Sequence, residues 1–212
     1  MSQASWAFFA VGSVCALTYG LLFLQAQPSL WRTLSKAGLG ACLALAARFA
    51  DAPNFLALGL ALCAVGDACL ARDPKRWLQP GIVVFLVAHL VLTALFSEIG
   101  DVHRLLSQWG PVLVVVGLSG QLLGYLWPRM GPMRPAGVAY AVTLAATVIS
   151  SLTLPVNFGW VPLGALLFFA SDAILAIRLF RFEGAPHRLW DHLVWWLYAG
   201  AIALIAWGFL HG

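Results

Sequence analysis

The sequence predicts an all-α membrane protein with eight transmembrane helices, and composition is the first observation that supports it. The chain has 212 residues, of which 62% are hydrophobic and only 9% are charged. A soluble domain carries about 25% charged residues, so this chain has too few to cover a surface that faces water. The length suits one domain over residues 1–212.

The second observation is the length of the apolar segments. A bilayer-spanning helix needs about 17 to 25 mostly apolar residues. We expect spans over residues 5–25, 33–50, 54–71, 80–97, 110–127, 135–152, 159–179 and 190–210. Short connections rich in Pro, Gly and charged residues separate them and end the helices. The first span has no Lys or Arg before it, unlike a secretory signal peptide, so we expect a retained helix.

The third observation is the distribution of basic residues, which predicts the orientation of the helices. The odd-numbered connections hold ten Lys and Arg residues: Arg32, Lys36, Arg72, Lys75, Arg76, Arg129, Arg134, Arg178, Arg181 and Arg188. The even-numbered connections hold Arg48 and Arg104. Because basic residues stay on the cytoplasmic side, we expect the odd connections in the cytoplasm and both termini outside. The net charge of +4 therefore indicates membrane topology rather than binding to nucleic acid.

A short motif occurs twice and suggests two parallel four-helix repeats, 1–105 and 106–212. "GDACLAR" at 66–72 resembles "SDAILAIR" at 171–178, and each lies near the end of the third span of its half. Four spans per half give the two halves the same orientation. Chance similarity is the alternative, since Ala and Leu are common in this chain.

Asp67 and Asp172, at matching positions in this motif, are the candidate catalytic residues. An ionisable group inside a span costs roughly 2.5–3.5 kcal/mol on insertion scales, and it usually faces the bundle interior or a water-filled cavity. The alternative is pairing at the membrane interface with a nearby cation, Arg72 or Arg178. Two carboxyl groups at one depth in equivalent motifs favour a shared site.

Other polar residues near the same level are supporting candidates. His89 lies in mid-span, where it is either an interhelical hydrogen-bonding residue or part of the site. Tyr140 and Tyr198 are either interface anchors or site residues. Ser171 offers a hydroxyl, but no GxSxG motif for a serine hydrolase is present. The four cysteines lack CxxC spacing, and the candidate set has too few nitrogen ligands to predict a metal site.

Two carboxyl groups in a partly dry site repel each other when both are ionised, so one can keep its proton. A proton donor beside a carboxylate suits reactions that form an oxocarbenium-like cation and then add water to it. This chemistry fits acid-catalysed hydrolysis of an ether or acetal-like bond in a lipid. The same pair also fits proton-coupled transport, and the residues alone do not choose between the two.

Several segments resemble the YhhN family of eight-span membrane proteins, which includes the lysoplasmalogenases. They are "GDACL" at 66–70, "FLVAHL" at 85–90, "AYAV" at 139–142, "GALLFFASDAILAIRLF" at 164–180 and "YAGAIALIA" at 198–206. The resemblance covers most of the chain, and the 164–180 segment is its most specific part.

The resemblance implies hydrolysis of the vinyl ether bond of lysoplasmalogens, without a cofactor, to a fatty aldehyde and a glycerophospho head group. It implies that one of Asp67 and Asp172 acts as acid, while the other stabilises the cation and directs water. His89 and the tyrosines would orient this pair, and Lys36 would bind the lipid phosphate. The expected location is a bacterial inner membrane, with the site toward the cytoplasmic leaflet. A proton-coupled transporter and a non-catalytic lipid-binding protein are the alternatives.

Overall fold

The computed structural model describes residues 2–182 and 188–212, and these contain eight α-helices. They are α1 (Gln3–Thr18), α2 (Leu30–Phe49), α3 (Asn54–Leu70), α4 (Pro74–Ile99), α5 (Trp109–Met130), α6 (Arg134–Ser151), α7 (Trp160–Arg181) and α8 (Arg188–His211). A π-helical turn, Tyr19–Phe23, extends α1. The predicted connection between the last two helices falls largely on residues 183–187, outside the described residues.

The helices confirm an integral membrane protein. Five described segments are long and apolar enough to cross a membrane: Gln3–Phe23, Arg76–Ile99, Trp109–Ser151, Trp160–Arg181 and Arg188–His211. The shorter α3 is also apolar, and α2 includes Arg32, Lys36 and Arg48. Eight crossings and an internal repeat stay predictions.

The segment Trp109–Ser151 contains α5 and α6, which fold back on each other. A straight helix of its 43 residues would be about 65 Å long, roughly twice the hydrocarbon thickness. The chain bends at Gly131, whose φ of 47° is a left-handed conformation that favours glycine. Gly110, near the start of α5, and Leu152, directly after the end of α6, then line the same apolar cavity.

The largest difference from the predicted boundaries is at α4. The predicted span begins at residue 80, after a connection that contains Pro74 and Pro80, but the helix begins at Pro74 and continues through Pro80. Proline is well tolerated in the first turn, where its missing N–H would be unpaired. Pro80 removes one hydrogen bond that the remaining turns of a 26-residue helix tolerate.

Small residues let the helices that carry the candidate site approach closely. A Cβ at Gly40 of α2 would lie 2.9 Å from the Ala64 nitrogen of α3, and one at Gly164 of α7 would lie 2.8 Å from the Ala201 oxygen of α8. Such small-residue contacts favour helix association in membranes, where van der Waals packing replaces the hydrophobic driving force. These contacts fix α2 against α3 and α7 against α8, the two interfaces around Asp67 and Asp172.

Candidate functional site

Asp67 lies near the end of α3 inside the bundle, with 1% of its side chain exposed. The Tyr198 hydroxyl of α8 donates a hydrogen bond to its Oδ2 at 2.6 Å. The Lys36 ammonium of α2 lies 3.7 Å from its Oδ1 and is 14% exposed. We call Asp67, Lys36 and Tyr198 the Asp67 cluster. A buried carboxylate needs such partners, because desolvation without compensation would be costly.

Asp172 of α7 is the centre of a second cluster and is 10% exposed. The Tyr140 hydroxyl of α6 donates to its Oδ2 at 2.5 Å, and His89 Nε2 of α4 lies 3.3 Å from the same oxygen. The other ring nitrogen, His89 Nδ1, lies 3.2 Å from the Thr147 hydroxyl of α6. We call Asp172, Tyr140, His89 and Thr147 the Asp172 cluster.

The two clusters are neighbours, and the aromatic ring of Phe168 lies between them. The Phe168 ring is centred 4.3 Å from the His89 ring and 5.3 Å from the Tyr198 ring. The structure therefore brings the two aspartates into one region, but each has its own tyrosine rather than sharing one proton directly.

The two clusters draw their partners from equivalent helices, counted in two groups of four. Each aspartate lies on the third helix of its group, α3 or α7. One partner comes from the second helix of the same group: Lys36 of α2 or Tyr140 of α6. The other comes from the fourth helix of the opposite group: Tyr198 of α8 or His89 of α4. Two four-helix repeats would produce such an arrangement, and the repeat stays a prediction.

A second cation lies next to Lys36 at the same end of the bundle. Arg32, one turn earlier on α2, donates to the Ala71 carbonyl and lies 5.8 Å from the Tyr19 ring centre. Lys36 Nζ lies 5.5 Å from the same ring centre. The π-helical turn places Tyr19 there, with its ring 4.4 Å from Trp195. Lys36, predicted to bind phosphate, thus faces a carboxylate and an aromatic ring.

Ser171 has a different environment from the one predicted for a supporting residue. Its hydroxyl donates to the Val194 carbonyl of α8 at 2.9 Å, which links α7 to α8. The alternative partners of the aspartates are also engaged elsewhere. Arg178 pairs with Asp191, and the Arg72 guanidinium lies 4.9 Å from the Trp77 ring centre.

The residues that sequence reasoning missed are Thr147, Thr93 and Phe168. Thr93 Oγ1 lies 2.9 Å from Thr147 Oγ1, so a line of polar groups runs from Asp172 through His89 to Thr93. Helical spacing is the signal that could have found them. Thr93 follows His89 by four residues, and Thr147 follows Tyr140 by seven, so each pair lies on one helix face. Across residues 2–182 and 188–212, no three His, Cys, Asp or Glu side chains group as metal ligands.

Comparison with known proteins identifies the family. The YhhN family model matches residues 27–209. Curated proteins named lysoplasmalogenase, from Mycobacterium bovis and Mycobacterium tuberculosis, are each 32% identical to this chain over 165 residues. The match covers 75% of this chain and 61% of each relative, so the chain spans less than two thirds of their length. No solved structure matches it. The resemblance in the sequence motifs is therefore confirmed, and the chain belongs to the YhhN family.

Proposed function

We propose that this protein hydrolyses the vinyl ether bond of lysoplasmalogens inside a membrane. The observation that carries the proposal is the pair of adjoining carboxyl groups, Asp67 and Asp172, each hydrogen-bonded by a tyrosine hydroxyl. The names of the mycobacterial relatives supply the substrate class. Vinyl ether hydrolysis needs an acid and a way to stabilise a cation, and these two carboxyl groups can provide both.

The reaction begins with protonation of carbon. One aspartic acid transfers its proton to the β-carbon of the vinyl ether, and the resulting positive charge is shared between the α-carbon and the ether oxygen. The second aspartate, as a carboxylate, stabilises this oxocarbenium ion electrostatically.

Water then adds to the α-carbon, and a carboxylate accepts its proton. The hemiacetal hydroxyl then gives its proton to the aspartate that was the acid, and the glycerol oxygen takes the proton that the other carboxyl group accepted from water. The bond between the α-carbon and that oxygen breaks, which releases the fatty aldehyde and the glycerophospho head group. One water is consumed and the acid regains its proton.

The hydrocarbon surroundings suit this reaction. The rings of Phe168 and Phe85 pack edge to face with centres 6.3 Å apart. Phe85 contacts Tyr198 and Phe168 contacts His89, so the apolar chain of the lipid would lie against aromatic side chains next to both clusters. Lys36 and Arg32 lie at the predicted cytoplasmic end, where positive residues collect. We therefore place the head group toward the cytoplasmic leaflet of a bacterial inner membrane, with eight crossings and both termini outside.

The test is product analysis with purified full-length protein in detergent. It would receive 1-alkenyl lysophosphatidylethanolamine and, separately, the matching 1-acyl and 1-alkyl lipids. We expect fatty aldehyde from the alkenyl lipid alone. In D2O the aldehyde should carry one deuterium at carbon 2, because the β-carbon takes its proton from an acid that exchanges with solvent.

Two other outcomes would contradict the proposal. Release of fatty acid from the acyl lipid would show an esterase. Folded protein that is inactive on all three lipids would favour transport or lipid binding, and proton flux in liposomes driven by the lipid would then distinguish those two.

A further inference from the structure

Thr147 is a buried threonine that touches the histidine of the site from the side opposite the carboxylate. Its Oγ1 lies 3.2 Å from His89 Nδ1, 2.9 Å from Thr93 Oγ1, 3.0 Å from the Thr143 carbonyl oxygen and 3.3 Å from the His89 carbonyl oxygen. A threonine hydroxyl has one proton to donate and can also accept. Which neighbour receives that proton therefore depends on the protonation of His89.

The contact between Nε2 and Asp172 indicates that His89 carries a proton on Nε2. Nε2 lies 3.3 Å from Asp172 Oδ2, which also accepts the Tyr140 hydroxyl at 2.5 Å. The Tyr140 hydroxyl donates to this oxygen, so the oxygen is already an acceptor and the proton between it and His89 belongs to Nε2.

A neutral imidazole with its proton on Nε2 has an acceptor at Nδ1. Thr147 is the hydroxyl within reach of that nitrogen, and Thr93 can donate to the oxygen of Thr147 in turn. The groups then form one directed series: Thr93 to Thr147, Thr147 to His89, and His89 to Asp172. Thr93, Thr147 and His89 each donate one hydrogen bond in this series, and both ring nitrogens of His89 have a partner.

We infer that Thr147 is a positioning residue that holds His89 in the Nε2–H tautomer and thereby keeps Asp172 in its carboxylate form. Its catalytic consequence rests on the proposed function. Asp172 is then the carboxylate that stabilises the cation and directs water.

The first test is a set of substitutions in α6. Thr147→Val keeps the shape of the side chain and removes the hydroxyl, whereas Thr147→Ser keeps the hydroxyl. Thr143→Val is the matched control, because its hydroxyl donates to the Ala139 carbonyl of its own helix. We expect Thr147→Val to lower kcat about 5- to 10-fold with KM unchanged, the size of one lost hydrogen bond. Thr147→Ser should restore most of the rate, and Thr143→Val should match the wild type.

The second test needs no substrate and reads the tautomer directly. Full-length protein labelled with 15N-histidine would be studied by NMR in detergent, with His89→Gln identifying the His89 signals. We expect a protonated Nε2 and an unprotonated, hydrogen-bonded Nδ1 in the wild type. In Thr147→Val the Nδ1 resonance should move toward that of an acceptor without a hydrogen bond.

A protonated Nδ1 in the wild type, or an Nδ1 resonance that Thr147→Val leaves unchanged, would overturn the inference. Equal kcat values for Thr147→Val and Thr143→Val would overturn its catalytic part. If the protein does not hydrolyse vinyl ethers at all, the proposed function fails while the NMR result still decides whether Thr147 sets the tautomer.

Discussion

The Asp67 and Asp172 clusters have the same connectivity and different chemistry. Both aspartates lie on the third helix of a group of four, and both accept a tyrosine hydroxyl. Asp67 has an ammonium group at 3.7 Å as its second partner, whereas Asp172 has an imidazole at 3.3 Å. Two identical carboxyl sites would compete for one proton. Different partners allow one to hold the proton and the other to stay ionised, which is the arrangement that acid catalysis through a cation needs.

The largest effect is expected from removing either carboxylate. Asp67→Asn and Asp172→Asn should each lower aldehyde release about 10²- to 10⁴-fold, the usual contribution of a positioned acid or base. Glu98→Gln, at the exposed end of α4, is the control and should keep the wild-type rate. A folded Asn variant with wild-type turnover would show that its cluster takes no part in the chemistry.

Removing the hydroxyl of each tyrosine in turn shows how much each carboxyl group depends on its tyrosine for turnover. Tyr198→Phe leaves Asp67 with Lys36 at 3.7 Å, whereas Tyr140→Phe leaves Asp172 with the imidazole of His89. A hydrogen bond to a charged group contributes about 1.5–3 kcal/mol, so a loss of roughly 10- to 100-fold in kcat is expected for Tyr198→Phe. Tyr140→Phe should lose less. Steady-state kinetics of aldehyde release compares them, and a larger loss for Tyr140→Phe would reverse the comparison.

A substitution of Lys36 distinguishes two roles that this residue could have, as counter-ion of Asp67 or as ligand of the lipid phosphate. Because its ammonium faces the carboxylate, we expect Lys36→Met to lower kcat about 10-fold, equivalent to about 1.4 kcal/mol, with a smaller change in KM. Arg32→Met is the matched comparison, since Arg32 lies beside the same Tyr19 ring. If both variants raise KM and leave kcat unchanged, Lys36 binds phosphate, as the family resemblance implied.

The smallest effect on turnover is expected where packing rather than chemistry is altered. A methyl group at Gly164 would meet the backbone of α8 at 2.8 Å, whereas none of the described atoms lies within 4 Å of a Cβ at Gly117. Gly164→Ala should therefore lower stability by about 1–3 kcal/mol through overpacking. Gly117→Ala should be neutral or slightly stabilising, because alanine favours helix. Thermal unfolding in detergent, followed by loss of the monodisperse peak, compares the two, and equal stability would show that α7 can move away from α8.

Hydropathy and charge are enough to predict the membrane class, the approximate position of each helix and the residues that carry charge into the apolar segments. Hydropathy and charge act locally, so Asp67, Asp172 and His89 stand out without any knowledge of packing. The doubled motif also predicts that the two aspartates belong together, and the contacts of the Phe168 ring with His89 and Tyr198 place their clusters side by side.

The groups that surround each carboxylate depend on how the helices pack and cannot be read from the sequence pattern. Whether Lys36 faces a phosphate or Asp67, and whether Ser171 faces Asp172 or the backbone of α8, depends on helix rotation and close approach at Gly40 and Gly164. Thr147 has no special feature in the sequence, because a threonine in an apolar helix is ordinary until a histidine from another helix lies against it. The type of each residue is read at its own position in the sequence, whereas the hydrogen-bond partner of a buried polar group depends on the packing of the whole bundle.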